Sequence, residues 1–220
     1  MKPAPMPNEA GSPEEAKYRR DITRAFRIMA PFYDFGTAVI AGVRERVADF
    51  AAPGKGARVL DVATGTGKQA FAFARRGCDV VGIDLSPDML RVAARKNKYA
   101  NARFQLADAT ALPFPDARFD IACISFGLHE MPAAIRERTV RELARVTKQG
   151  GMVLVVDYAL PRNRLGKSIV YRIIKTYEGK HYADFVQTGV EGLLAENGIR
   201  VVERLRLLVG AAVALKGLKG

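Results

Sequence analysis

From Arg58 onward, short apolar runs alternate with stretches of helical periodicity, and that alternation restricts the chain to very few folds. "RVLDV" (58–62), "DVVGID" (79–84), "RFQLAD" (103–108), "FDIACIS" (119–125) and "MVLVVDY" (152–158) read as buried strands. Helical patterns fall over 67–76, from Ser86-Pro87 to about Asn97, from Pro132 to a stop at Gly150-Gly151, and over 183–196. Ser86 suits an N-cap and Pro87 the first helical position. Strands separated by helices of this length predict a parallel, doubly wound α/β sheet. The closing run "RVVERLRLLVGAAVAL" (200–215) predicts two more strands that turn at Gly210. A hairpin is antiparallel, so the expected fold is a seven-stranded, mostly parallel sheet with an antiparallel C-terminal edge hairpin.

The 220 residues, 49% hydrophobic and 26% charged, suit one globular domain with a substantial core. We expect a disordered leader over 1–14, because "MKPAPMPNEAGSPEEAK" is proline-rich and lacks an apolar signal core. The domain then covers 15–220: cap helices over 15–50, the core over 57–157 and a variable lid or substrate segment over 161–182. Cys78 and Cys123 lie in apolar contexts and read as buried free thiols. No CxxC, HExxH or His/Cys cluster suggests a metal site. These features together predict a cytoplasmic protein.

Residues at strand ends carry the chemistry. Asp61 closes the first strand, and Gly65-x-Gly67 opens the helix after it. Glycines there allow positive φ and close approach of backbone to a ligand. With Ala70 and Asp84 this spacing also satisfies a dinucleotide fingerprint. Three features favour another ligand. Asp61 is acidic where a pyrophosphate would approach, and suits an ammonium group. Asp84 ends the second strand, where its carboxylate can accept from ribose hydroxyls. Asp108 and Ala109 follow the third strand, where an acidic loop can meet an adenine amino group.

"DVATGTG", "GIDLSPDML" and "ADATALPF" together resemble the class I S-adenosylmethionine-dependent methyltransferases, over roughly 57–157. The resemblance implies a Rossmann-like fold with S-adenosyl-L-methionine as cofactor. It places Asp61, Ala63, Thr64, Gly65 and Gly67 in the glycine loop and Asp84, Leu85 and Met89 at the ribose. Asp108 and Ala109 then meet the adenine, and Ser125 and Phe126 complete the site. "APFYD" (30–34) and "FDIACISFGLHEMP" (119–132) are further similar to the ubiquinone/menaquinone-biosynthesis C-methyltransferase family. That family implies a small aromatic or lipid-soluble substrate, with a quinone precursor leading. O- or N-methylation of another small molecule or lipid head group is the alternative. The resemblance also places Tyr33 on a cap helix against the cofactor pocket. The chain departs from the family at His129-Glu130, where an Arg-Asn pair is usual, and at Phe35-Gly36-Thr37, where an Asn is usual. Beyond Tyr158 the similarity fades.

His129 is one of two histidines. At the end of the fourth strand it reads either as a base, since imidazole titrates near neutrality, or as a capping or packing residue. His181, beside Tyr177 and Tyr182, is a candidate for a lid or substrate wall. Both join Tyr33 as candidate catalytic residues.

The net charge of +12 calls for an anionic partner or surface. Residues 17–27 hold five basic side chains against Asp21, and 161–180 hold six against Glu178. In 165–177 apolar residues recur at helical spacing opposite Arg164, Lys167, Arg172 and Lys175. Either both windows rest on an anionic membrane face, or their apolar stripes pack on the core. Nucleic acid is disfavoured: "SFGL" replaces the Asn-Pro-Pro-Tyr/Phe type of motif of base-amine methyltransferases, and few aromatics interleave the basic residues.

Overall fold

The computed structural model describes residues 12–30, 33, 41–160 and 181–220. The expected basic helix of 165–177 with the rest of the 161–180 window, Tyr177, the Phe35-Gly36-Thr37 departure and the leader up to residue 11 lie outside the described residues. Helix α1 (Pro13–Met29) begins two residues earlier than the expected domain start. Ser12 explains this: its hydroxyl accepts from the Glu15 amide at 3.3 Å, Pro13 follows at the first helical position, and Glu14 and Glu15 complement the helix dipole. Helix α2 (Ala41–Ala51) leads into the alternating core.

There β1 (Arg58–Val62), α3 (Lys68–Arg75), β2 (Asp79–Asp84), α4 (Pro87–Lys96), β3 (Ala102–Leu106) and β4 (Phe119–Ser125) follow in turn. A single turn, Leu128–Glu130, leads to α5 (Ala133–Val146) and β5 (Thr147–Tyr158). Then come α6 (Tyr182–Thr188), α7 (Glu191–Glu196), β6 (Ile199–Leu207) and β7 (Ala212–Lys219). The sheet order is β3-β2-β1-β4-β5-β7-β6, with β7 antiparallel to both neighbours. The expected mostly parallel seven-stranded sheet with its antiparallel hairpin is therefore present, and Gly210 sits in the connecting turn at φ 93°.

Helices cover both faces of the parallel strands, so those strands read as continuous apolar runs. Leu60, Val62, Ile83, Ile124 and Val155 pack with Leu143 of α5 on one side. Val59, Val80, Cys123 and Leu154 pack with Phe73 of α3 on the other. Cys78 and Cys123 are buried free thiols, as expected.

Three boundaries differ from expectation. Helix α5 stops at Val146, before the glycine pair, where the Thr147 hydroxyl donates to the Leu143 carbonyl at 2.6 Å. Gly150 and Gly151 instead sit inside β5, where the register against β4 shifts between Phe119 and Ile121. A Cβ on Gly151 would lie 2.8 Å from the Lys148 carbonyl, which makes the bulge depend on glycine. The helix expected over 183–196 is two helices, because Gly189 at φ 67° ends α6 with its amide on the Phe185 carbonyl. Strand β3 ends at Leu106, leaving Asp108 in the following turn.

Within β2, Gly82 faces the Phe104 ring and the Thr64 hydroxyl. A Cβ there would lie 2.7 Å and 2.8 Å from them. We expect Gly82→Ala to cost about 1–3 kcal/mol by overpacking, read by chemical denaturation, and to weaken ligand binding by displacing Thr64.

Candidate active site

Strand order reverses between β1 and β4, which leaves a crevice at their carboxyl ends. Register brings Val62 beside Ile83 and Ile124, so the residues just after β1, β2 and β4 converge there. Two non-glycine residues at this edge hold left-handed backbone, Ala63 at φ 53° and Phe126 at φ 54°. Such strain gathers where surrounding structure over-determines a functional conformation. The Phe126 amide is fixed by the Val156 carbonyl at 2.7 Å.

The glycine loop is tied to β2 by Asp84. One carboxylate oxygen accepts from the Gly65 amide and the other from the Ser86 amide, both at 2.8 Å. Each oxygen keeps further acceptor capacity. Burial raises the Asp84 pKa, and these amides oppose the rise. Gly65 takes φ 55° with open space where a Cβ would stand, and Gly67 at φ 84° caps α3.

Asp61 is 1% exposed. Its Oδ2 accepts from the Thr64 hydroxyl at 2.6 Å, while Oδ1 has no hydrogen-bond partner among the described residues. Burial pushes its pKa up to about 6, against the lowering pull of Thr64, Arg44 and the Ala70 amide. Arg44, on α2, is also buried, and its Nε and Nη1 lack partners among the described residues. Its guanidinium stands 4.9 Å over the Phe126 ring. A half-satisfied carboxylate and a half-satisfied guanidinium thus face one cavity. Together they match the ammonium and carboxylate of an amino acid.

The cavity holds about 1040 Å³ of space between protein atoms, part of it open to solvent. Of the sequence-predicted cofactor residues, Asp61, Ala63, Thr64 and Gly65 line it from the glycine loop, and Asp84, Leu85 and Met89 from β2 and α4. Asp108 and Ala109 line it beyond β3, and Ser125 and Phe126 beyond β4. Gly67 lies just behind this wall, its amide donating to the Thr64 carbonyl. Tyr33 lines the cavity and meets Phe26 edge-on at 6.1 Å.

The two histidines do not line it. His129 is 2% exposed, with Nδ1 2.6 Å from Asp157 Oδ1 and its ring 4.7 Å from that of Tyr158. Asp157 Oδ2 accepts from the Leu128 and His129 amides at 3.0 and 3.3 Å. The placement expected for a base at the cavity mouth therefore belongs to the next residue, Glu130, which does line the cavity. His181 precedes α6 and meets the Tyr18 ring edge-on at 6.3 Å.

Sequence reading also missed α1 as a cavity wall. Tyr18, Ile22 and Phe26 recur at i, i+4 and i+8 and point inward with Arg19 and Thr23. That periodicity is legible in the sequence, and the exposed Lys17, Arg20, Arg24 and Arg27 lie on the opposite face. Arg19 Nε donates to Asp108 Oδ2 at 2.7 Å, and Asp108 Oδ1 accepts from Thr110. The loop expected to meet adenine is thus latched to α1. Burial, then the charges of Glu130, Asp108 and Asp84, raise the Tyr18 phenol pKa and keep it protonated.

The fold, the glycine loop and the acids at the ends of β1 and β2 and after β3 define a class I S-adenosylmethionine-dependent methyltransferase. Residues 59–151 match the methyltransferase domain family. A demethylmenaquinone methyltransferase of Thermus thermophilus is 39% identical over 158 residues, covering 67% of this chain and 70% of that protein. Another from Renibacterium salmoninarum is 38% identical over 146 residues, covering 64% and 60%. A ubiquinone/menaquinone biosynthesis C-methyltransferase of Azotobacter vinelandii is 34% identical, covering 70% and 64%. The chain therefore spans 60% to 70% of the length of these relatives. It belongs to the ubiquinone/menaquinone-biosynthesis C-methyltransferase family. Among solved structures, a putative methyltransferase bound to the Haloferax volcanii activator Trm112 superposes with a TM-score of 0.70 at 16% identity, covering 88% of this chain and 97% of that one.

Asp61 gives the site a pH signature. An ammonium partner favours the ionised carboxylate, so protons must leave Asp61 on binding at low pH. The dissociation constant for S-adenosylhomocysteine should be flat above pH 7 and rise below about 6, approaching roughly tenfold per pH unit. Titration calorimetry of Asp61→Asn should show weaker binding without that slope. In the free protein the sign runs the other way. A raised carboxylate pKa stabilises the fold at low pH, and this contribution is lost as pH climbs from about 4 through 6.

Proposed function

We propose that the protein transfers a methyl group from S-adenosylmethionine to a ring carbon of a hydroxylated aromatic quinone precursor that carries a lipid tail. The observation that carries this reading is the half-satisfied Asp61–Arg44 pair in one cavity with the apolar and aromatic surface of Ile22, Phe26, Tyr33, Met131 and Ile135. The names of the family's characterised members supply the substrate class.

When bound, the cofactor supplies an electrophilic methyl group on a sulfonium. Asp61 and Arg44 hold its amino-acid end, and Asp84 accepts from the ribose hydroxyls. The Asp108 loop, kept in place by Arg19 and Thr110, borders the adenine. Tyr33 and Phe26 close the wall over Met89, with which they form one apolar cluster, and exclude water. Ordering both reactants in this crevice is the main source of rate, through effective molarity. His129 acts by position, holding the Leu128–Glu130 turn on Asp157. His181 braces α1 through Tyr18.

The same reading assigns the outer face of α1 to an anionic membrane surface. Lys17, Arg20, Arg24 and Arg27 are exposed there, and Ile28 and Met29 at its end are 66% and 43% exposed. That arrangement suits an interfacial helix and puts the cavity's own wall beside the lipid that dissolves the substrate. Among the described residues no helix is long and apolar enough to cross a membrane.

The test is transfer of methyl label to a lipid extract carried in anionic or zwitterionic vesicles, with the product identified by mass spectrometry. Label on a quinone ring carbon, formed faster with anionic vesicles, is expected. Label on oxygen, nitrogen or a phospholipid would overturn the substrate assignment, and equal rates on both vesicles the membrane assignment.

A further inference from the structure

Resting on that reading, we propose that the whole carboxyl edge of the sheet docks on an anionic phospholipid bilayer. The β6–β7 turn then drives Val209 into the bilayer as a second insertion point besides α1. Among the described residues the exposed large hydrophobic side chains are Ile28, Met29, Leu106 and Val209. They come from three distant parts of the chain, yet the fold sets them on one edge. Leu106 is the last residue of β3. Because β7 runs antiparallel to both neighbours, β5 and β6 point the same way. The turn that carries Val209 therefore stands at the carboxyl end, with the cavity. Ile28 and Met29 end α1 between Phe26 and Ala30, which pack on Met89 in the first turn of α4, just past β2. Strands β3 and β6 are the outer strands, six strand intervals apart, or roughly 29 Å at ~4.8 Å each. The apolar points thus span the edge, with the cavity between them. Single exposed hydrophobic side chains scattered over a surface are ordinary. A set gathered on the edge that carries the cavity is not scattered in that way.

The turn holds Val209 outward at the expense of a strained backbone. Leu208, Val209 and Gly210 are successive left-handed residues at φ 49°, 54° and 93°. Glycine takes this conformation freely, whereas for a β-branched side chain it is an outlier. The surroundings enforce it. The Ala211 amide donates to the Leu208 carbonyl at 3.0 Å, and the Ala211 carbonyl accepts from the Ala159 amide at 2.9 Å. Leu207 and Ala212 are buried on either side, and Leu208 packs on the core. Val209 itself is fully exposed, at 105%, so packing does not account for a valine there. Glycine or asparagine would form the same turn with less strain. Strain of this kind gathers at functional positions.

Charge selects a bilayer over an apolar protein partner. Arg206 is exposed three residues before Val209, and α1 exposes Lys17, Arg20, Arg24 and Arg27 ahead of Ile28 and Met29. Apolar tips flanked by cations suit the membrane interface, where the tips enter the acyl boundary and the cations stay among anionic head groups. Docked at both ends, the edge holds the cavity against the lipid phase. A substrate's ring can then enter while its tail stays in the bilayer.

Cys78 and Cys123 are buried, so a thiol introduced at the surface can be labelled selectively. Val209→Cys carrying an environment-sensitive fluorophore is mixed with vesicles of equimolar phosphatidylglycerol and phosphatidylcholine. Gln149→Cys, exposed at the opposite edge near the start of β5, is the control. We expect a blue shift and quenching by brominated acyl chains at position 209 and neither at 149. Unlabelled Val209→Asn should keep at least the wild-type Tm and the wild-type affinity for S-adenosylhomocysteine. Its partition onto the same vesicles should fall about tenfold, the effect of one valine side chain withdrawn from an apolar phase. Absence of quenching at 209, or unchanged partition of Val209→Asn, on vesicles that bind the wild type overturns the proposal and leaves the membrane role of α1 standing. A changed oligomeric mass in Val209→Asn with unchanged partition also overturns it, and assigns the turn to a second copy of the chain. Wild-type protein that does not bind these vesicles overturns the membrane reading itself, and the proposal with it.

Discussion

A carboxylate buried at the end of a strand is costly unless something answers its charge, and Asp61 sits in that position with one oxygen unanswered. The cost is visible in its raised pKa. Arg44, brought from α2, answers it only in part, because its own Nε and Nη1 also lack partners among the described residues. Two charges that satisfy each other fully would make a structural ion pair. Two that stay half-satisfied in one cavity make a receptor for a zwitterion. The strained backbone at Ala63 and Phe126, the Asp84 clasp on Gly65 and the latch from Arg19 to Asp108 all keep that receptor in shape.

The two ends of the cavity are held by different means. On the cofactor side, acids at strand ends are positioned by the sheet, whose register fixes their spacing. On the acceptor side, the wall comes from α1, Tyr33 and the turn at Leu128–Glu130. This side depends on side-chain contacts: Asp157 gathering the turn, Arg136 tying it to α6 through Asp184 at 3.2 Å and Thr188, and His181 against Tyr18. A sheet is a rigid platform, whereas such a wall changes its chemistry with one or two substitutions.

This division explains what could be read from the sequence. Strand runs, the β1 glycine loop and the acids at the ends of β1 and β2 and after β3 are local patterns, and the order of elements determines where they meet. The boundaries that moved were decided by non-local or conformational detail: the bulge against Phe119 that draws Gly150 and Gly151 into β5, and the positive φ of Gly189 that splits α6 from α7. Arg44 and Tyr18 were invisible as site residues because their roles depend on how α2 and α1 fold back over the sheet. The two readings of His129 stayed open because strand-end position alone does not say which of two adjacent side chains, His129 or Glu130, lines the cavity. Asp157, far away in sequence, decides it.

The account stands or falls on recognition of an amino-acid end by Asp61 and Arg44. Its most direct measurement is calorimetry of S-adenosylhomocysteine and 5′-methylthioadenosine, which lacks that end, against wild type and Arg44→Met. The account predicts that Arg44→Met weakens S-adenosylhomocysteine by about 2–5 kcal/mol, the usual cost of truncating one partner of a buried charge pair, and leaves methylthioadenosine unchanged. Equal weakening of both ligands, or of neither, would contradict it.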